Sequence, residues 1–258
     1  MGPARTEGRA TIAGRTLEYT WIGLPSSRAP LIFLHEGLGS IELWREFPET
    51  LCLESDRSGL LFSRYGNGWS EVLTEPRQPD YMHVEAKVVF PELLAEVVGR
   101  ASVLIGHSDG ASISLIYAGM GNDVDGLVLI APHVFVEVRS IAAIAAVRED
   151  FGTTDLAERM AKYHRDPEAT FRGWNDIWLS PSFRGWNIED VLPAVTCPIL
   201  LIQGDEDEYG TEAQLDSIES QVKCPTTRLM VKETGHWPHL DQPALVTSAV
   251  AHFLADLP

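Results

Sequence analysis

The 258-residue chain is 45% hydrophobic and carries 20 Lys and Arg against 37 Asp and Glu, a formal net charge of -17. The apolar share supports a large buried core and excludes a disordered chain, and the negative field repels a phosphate backbone, so nucleic acid is not an expected partner. No run of about 18 apolar residues is present, so no membrane-crossing helix is expected.

Short apolar runs punctuate the chain. The first two, 11–13 and 17–22, flank Gly14-Arg15 and predict an antiparallel hairpin. Further runs at 31–34, 59–63, 101–105, 126–130 and 198–202 have the continuous apolar character of parallel strands covered on both faces. An alternating run, 226–231, is the last. Helical patterns lie between them. One spans 40–53, with Ser40 as a candidate N-cap. Another spans 80–99, with Pro91 expected to break or restart it. Residues 109–120 form a third, and 243–254, opened by Pro243, a fourth. This alternation predicts an α/β fold with a mostly parallel, doubly wound sheet. The interval between Ile130 and Pro198 lacks a strand pattern. It holds helical stretches at 137–151, 155–164 and 168–179 and the aromatics Phe171, Trp174, Trp178, Phe183 and Trp186. Such an insertion reads as a lid over a site, with Trp174, Trp178 and Trp186 expected to face a substrate.

Three cysteines, Cys52, Cys197 and Cys224, make neither a disulfide framework nor a zinc motif, which fits a reducing, cytoplasmic setting. The N-terminus has no apolar signal core. Gly2 and Thr6 match a short myristoylation pattern, in which Pro3 is awkward.

The chemistry concentrates in Gly106-His107-Ser108-Asp109-Gly110, a G-x-S-x-G sequence between a strand and a helix. That setting suits a nucleophile on a tight turn, where small residues two before and two after let strand and helix approach. Asp109 competes as nucleophile, but its flanking position would then be His107, too bulky for the turn, so Ser108 is the better reading. A serine needs a general base, and the base needs a carboxylate to orient it. Loop histidines His236 and His239 follow the last strand; Asp205, Glu206, Asp207 and Glu208 follow the strand 198–202.

Taken together, these features resemble the α/β-hydrolase superfamily over nearly the whole chain. The resemblance rests on the loop Leu34-His35-Glu36-Gly37-Leu38-Gly39-Ser40, the Gly66-Asn67-Gly68-Trp69-Ser70 turn, the serine turn, the acid loop and the histidine loop, in that order. It implies an eight-stranded sheet with a core of 1–132 and 197–258 and a lid of 133–196. It implies catalytic Ser108, Asp207 and His236, with Asp205 as the alternative acid and His239 as a structural hydrogen-bonding residue. It implies oxyanion donors at the N–H groups of Gly37 and Asp109. Two positions depart from the pattern. Ser63 stands where an aspartate is usual. Glu36 stands where a glycine is usual, and its charge would oppose an oxyanion, so it is expected to turn away, to be protonated or to be paired. Glu36 and His133 are also candidate substrate contacts; His83, His164 and His252 are expected on the surface. The implied activity is hydrolysis of a small ester, lactone or related carbonyl compound through an acyl-enzyme, with no cofactor. Two alternatives stay open: a cofactor-independent oxygenase or lyase, and a non-catalytic ligand receptor. A homo-oligomer stays open as well.

Overall fold

The computed structural model describes residues 3–24 and 26–258, so the Gly2 pattern lies outside the described residues. Eight strands form one sheet: β1 (Arg5–Ile12), β2 (Arg15–Ile22), β3 (Leu31–Leu34), β4 (Gly59–Phe62), β5 (Val103–His107), β6 (Gly126–Ile130), β7 (Ile199–Gly204) and β8 (Thr226–Val231). Their order is β1-β2-β4-β3-β5-β6-β7-β8. β1 pairs with β2 and β2 with β4 antiparallel, and every pairing from β4 to β8 is parallel. The hairpin turn sits one residue earlier than the sequence suggests. Ile12 pairs with Arg15, leaving Ala13 and Gly14 in the turn, both at positive φ (49° and 75°). Two consecutive positive φ angles match the twist of a two-residue hairpin.

The central strands are buried on both sides, so successive side chains feed two separate cores. Ile32, Leu34, Leu104, Leu127, Leu129 and Leu201 point into one. It is shared with Ile113, Leu115 and Ile116 of α4 (Asp109–Gly119). Leu31, Phe33, Val103, Ile105, Val128 and Ile202 point into the other, against α1 (Phe47–Ser55) and α10 (Pro243–Ala255). Each fully buried Leu or Ile contributes roughly 1.5–3 kcal/mol through its removal from water, so this alternation fixes the register of the sheet.

Two helical expectations differ in detail. The stretch predicted as one helix from Ser40 is a 3-10 turn, Ile41–Trp44, then a break at Arg45 (φ 56°), then α1. Ser40 makes no side-chain capping bond. Between β4 and β5 the chain runs α2 (Tyr81–Val84), a π turn (Glu85–Val89), α3 (Phe90–Leu93) and a second π turn (Leu94–Val98) without interruption. Pro91 therefore does not break the helix. It falls in the first turn of α3, where a missing N–H is tolerated, and π turns flank that helix on either side.

Between β6 and β7 lie α5 (Val138–Thr153), α6 (Leu156–Met160) and α7 (Pro167–Leu179), with two short 3-10 turns and a single β-bridge, Phe135 to Asn187. α8 (Ala213–Gln221) and α9 (Pro238–Asp241) complete the set. No helix among the described residues is long and apolar enough to cross a membrane.

Candidate active site

From β3 the chain winds one way to β4; from β5 it winds the other way to β6, β7 and β8. β3 and β5 are neighbours, so the direction of winding reverses between them, and the loops at their carboxyl ends open a crevice. The loop after β3 carries His35 to Ser40, and the turn after β5 carries Ser108.

Ser108 has φ 53° and ψ -117°, a strained conformation for a residue with a side chain. The surroundings enforce it. A Cβ on Gly110 would lie 1.9 Å from the Leu34 carbonyl oxygen, and one on Gly106 would lie 2.5 Å from Ala111 Cα. The Ser108 N–H donates to the Ile130 carbonyl oxygen at 2.9 Å, and its own carbonyl receives the first bonds of α4. Ser108 thus precedes a helix N-terminus, whose partial positive charge favours an anion there.

His236 follows β8. Its Nδ1–H donates to Asp207 Oδ2 at 2.8 Å. Asp207 is held in turn by Gln203 Nε2 at 2.6 Å and by the N–H groups of Tyr209 (2.7 Å) and Gly210 (3.2 Å). Both partners are buried. Burial raises the pKa of the Asp207 carboxyl, but the charge and hydrogen bond of His236 and the Tyr209 N–H outweigh it, and the net shift is downward. For His236, burial opposes protonation, while the charge and hydrogen bond of Asp207, with Glu208 and Glu36, win and raise its pKa. Asp205 plays no part in this pairing. It receives the Glu233 N–H at 2.7 Å and pairs with Lys232 at 3.1 Å. The loop of His236 is pinned to the serine turn, because His107 Nε2 donates to the His236 carbonyl oxygen at 2.8 Å.

A cavity of about 490 Å³ brings these groups together: Ser108, His236, Glu36 and Gly37 line it, with Leu38, Tyr209 and Trp237. α5 contributes Ile144 and Val147, and α7 contributes Trp174 and Trp178. His133 also lines it and stands edge-on to Trp178, with ring centroids 5.4 Å apart. Burial, and then the neighbouring His236, lower the His133 pKa to about 4, so its ring is neutral near pH 7. Trp186, expected beside these indoles, does not line the cavity; it stacks on Phe183 at 5.3 Å. It lies beyond α7, whereas Trp174 and Trp178, four residues apart, share one face of that helix.

Glu36 does not turn away. It lines the cavity, and Oε2 accepts the Leu38 N–H at 2.5 Å. Burial raises its pKa to about 7 against the opposing Leu38 bond. The Gly37 carbonyl receives Asn67 Nδ2 at 3.1 Å, while neither the Gly37 nor the Asp109 N–H finds a protein acceptor among the described residues. The backbone of Gly37 lies so close to α7 that a Cβ there would meet Trp174 Cδ1 at 2.1 Å.

Beneath the serine turn lies a buried polar network that the sequence pattern did not reveal. Asp109 Oδ2 accepts the Tyr81 hydroxyl at 2.7 Å and lies 3.5 Å from Arg64 Nη2. Trp178 Nε1–H donates to the Tyr81 oxygen at 3.1 Å, and Arg64 also donates to the Glu36 carbonyl at 2.9 Å. Ser63, at the position where an aspartate is usual, donates to Glu18 Oε1 at 2.7 Å. Two histidines also depart from expectation. His164 is buried and accepts the Gly68 N–H at Nδ1 (2.9 Å). His239 packs on His107, Trp44 and Phe47, and its buried Nδ1 has no hydrogen-bond partner among the described residues. Among the described residues, no three His, Cys, Asp or Glu side chains gather in a way that could hold a metal ion.

Comparison with known proteins agrees with this architecture. The chain is 26% identical to the esterase YbfF of Escherichia coli, over 89% of this chain and 94% of that protein. The structure of VinJ superposes with a TM-score of 0.75 at 21% identity, over 99% of this chain and all of that one. An esterase from Thermogutta terrifontis superposes with a TM-score of 0.72 at 17% identity, over 97% and 98% of the two chains; these two likenesses speak for the fold. Residues 31–249 match the alpha/beta hydrolase family, and the chain belongs to that family.

Proposed function

We propose that the protein hydrolyses a small ester, lactone or related carbonyl compound through a Ser108–His236–Asp207 triad. As a member of its family the chain is a hydrolase, and the relationship to an esterase over most of both chains supports an ester-like substrate. The observation that carries the triad is the 2.8 Å bond from His236 to Asp207, made where His236 and the strained Ser108 line one cavity. In this reading His236 takes the Ser108 proton as the hydroxyl attacks the carbonyl carbon. Asp207 fixes the tautomer and stabilises the imidazolium. The N–H groups of Gly37 and Asp109 receive the developing oxyanion, and the helix dipole of α4 adds to them. Collapse releases the alcohol, which takes the proton from His236. Water, deprotonated by the same His236, then attacks the acyl carbon, and His236 returns that proton to the Ser108 oxygen as the acyl–oxygen bond breaks and the acid leaves. The segment 133–196 acts as a lid, since α5 and α7 supply one wall of the cavity.

The test is labelling with a fluorophosphonate probe, combined with hydrolysis of short p-nitrophenyl esters and lactones. Wild type is expected to label at Ser108 and to turn over at least one of these substrates, and Ser108→Ala to do neither. Absence of both labelling and turnover in wild type overturns the proposal.

A further inference from the structure

The loop after β3 is organised around a single carbonyl. The Glu36 oxygen accepts three donors: His35 Nδ1–H at 2.7 Å, Arg64 Nη2–H at 2.9 Å and the Gly39 N–H at 3.0 Å. His35 can donate there because its Nε2 accepts the Arg64 N–H at 2.9 Å, which fixes the tautomer. The same peptide unit carries the N–H of Gly37. In a trans peptide the carbonyl oxygen and the next N–H point in opposite directions, and the described residues have no cis peptide bond. Anchoring the Glu36 oxygen therefore directs the Gly37 N–H away from Arg64, and Gly37 lines the cavity. The next two amides are engaged within the loop, Leu38 N–H with Glu36 Oε2 and Gly39 N–H with the Glu36 carbonyl.

Two of the three donors belong to the loop and move with it. Arg64 does not. It lies just past β4, is 1% exposed, and its Nη2 also stands 3.5 Å from Asp109 Oδ2 in the serine turn. Asn67 holds the Gly37 and Gly39 carbonyls, but among the described residues it makes no bond to the serine turn. One guanidinium nitrogen thus joins the two backbone segments whose N–H groups, at Gly37 and Asp109, have no protein acceptor. Stability does not account for this arrangement. Arg64 Nε and Nη1 are buried without a partner among the described residues, and a buried charge so incompletely matched costs stability. We propose that Arg64 is a positioning residue: its Nη2 sets the distance between the Gly37 and Asp109 N–H groups, and with it the fit of that pair to a carbonyl oxygen taking up negative charge. Arg64 does not line the cavity and acts through the two amides. This deepens the hydrolase reading and rests on it for the charge that the amides receive.

Arg64→Gln loses the charge and the reach, whereas Arg64→Lys keeps the charge and a donor, so the pair provides the test. On a short p-nitrophenyl ester, kcat is expected to fall about 10- to 100-fold in Arg64→Gln, with KM within about threefold of wild type. Arg64→Lys is expected to stay at least about threefold above Arg64→Gln in kcat. Crystal structures of wild type and Arg64→Gln supply a readout that needs no turnover: the separation of the Gly37 and Asp109 nitrogens is expected to change by about 0.5 Å or more. An unchanged separation, a kcat within about threefold of wild type, a loss carried by KM, or a lysine no better than the glutamine overturns the proposal. If Arg64→Gln does not fold, because Asp109 is left charged, the double variant Arg64→Gln/Asp109→Asn takes its place in both measurements, read against Asp109→Asn. A wild type that neither labels with a fluorophosphonate nor turns over any ester overturns the hydrolase reading, and the nitrogen separation then decides the role of Arg64 by itself.

Discussion

Tyr81 donates its hydroxyl to Asp109 Oδ2 at 2.7 Å, while the backbone N–H of the same Asp109 is left without a protein acceptor beside Ser108. One residue therefore faces a buried network with its side chain and the reacting region with its amide. Trp178 Nε1, 3.1 Å from the Tyr81 oxygen, extends that network into α7. Tyr81→Phe leaves a buried carboxylate with Arg64 alone at 3.5 Å. The expected loss is about 1–3 kcal/mol of unfolding free energy, read by urea denaturation. A fall in kcat larger than the change in KM is expected with it, because the displaced amide is the proposed oxyanion donor.

Asp207 and Asp205 sit two residues apart and should respond differently to the same change. Asp207→Asn removes the acceptor that fixes the His236 tautomer, so kcat is expected to fall on the order of 10³–10⁴-fold with the fold intact. Asp205→Asn weakens a contact with Lys232 and a bond from the Glu233 N–H, and its kcat is expected to stay within about threefold of wild type. Steady-state kinetics on one p-nitrophenyl ester, with circular dichroism as the check on folding, decides between the two acids.

The base must be neutral to accept the Ser108 proton, and the pKa of His236 is raised, because the charge and hydrogen bond of Asp207 outweigh burial. Activity should therefore rise with pH through a midpoint above the ordinary histidine value of about 6.5. In whatever activity Asp207→Asn retains, the midpoint should move to lower pH. A pH profile of kcat/KM reads both.

Glu36 gives a stability prediction of opposite sign to the usual carboxylate. Its pKa is raised to about 7 in the folded state by burial, so the folded protein holds the proton more tightly than the unfolded chain does. The associated stability is fully present below the unfolded value of about 4.3 and is lost as pH rises through about 7, about 4 kcal/mol at most. Glu36→Gln, which cannot ionise, should show a shallower decline in melting temperature between pH 5 and 8, measured by calorimetry.

Much of this architecture was legible in the sequence. Seven of the apolar runs overlap strands, and the eighth, 11–13, caught only the end of β1, which begins at Arg5. The exposed and half-buried β1 alternates too weakly to be recognised, whereas strands covered on both faces cannot hide their composition. The strand–turn–helix setting singles out Ser108 as a candidate nucleophile, whereas only the resemblance selects Asp207 and His236 from among their loop neighbours; the structure joins those two by a hydrogen bond. The Arg64–Asp109–Tyr81–Trp178 network was not legible. Its members come from four separate elements, and an Asp in a first helical turn has the same local pattern whether it is solvated or sealed. The indoles divide for a related reason: the spacing of Trp174 and Trp178 states their common face, while Trp186, outside the helix, carries no such period.

The bond between His107 and the His236 carbonyl ties residues 129 positions apart in the chain. Any opening of the segment before α9 must break it, and that same bond holds the ring next to Ser108 in place. Loosening of the C-terminal loop and softening of the serine turn are thus one cooperative event. Amide exchange should reveal this as matched opening free energies for the N–H groups of Ser108 and Leu240, which donate to the Ile130 and Trp237 carbonyl oxygens, although one follows a central strand and the other lies near the end of the chain.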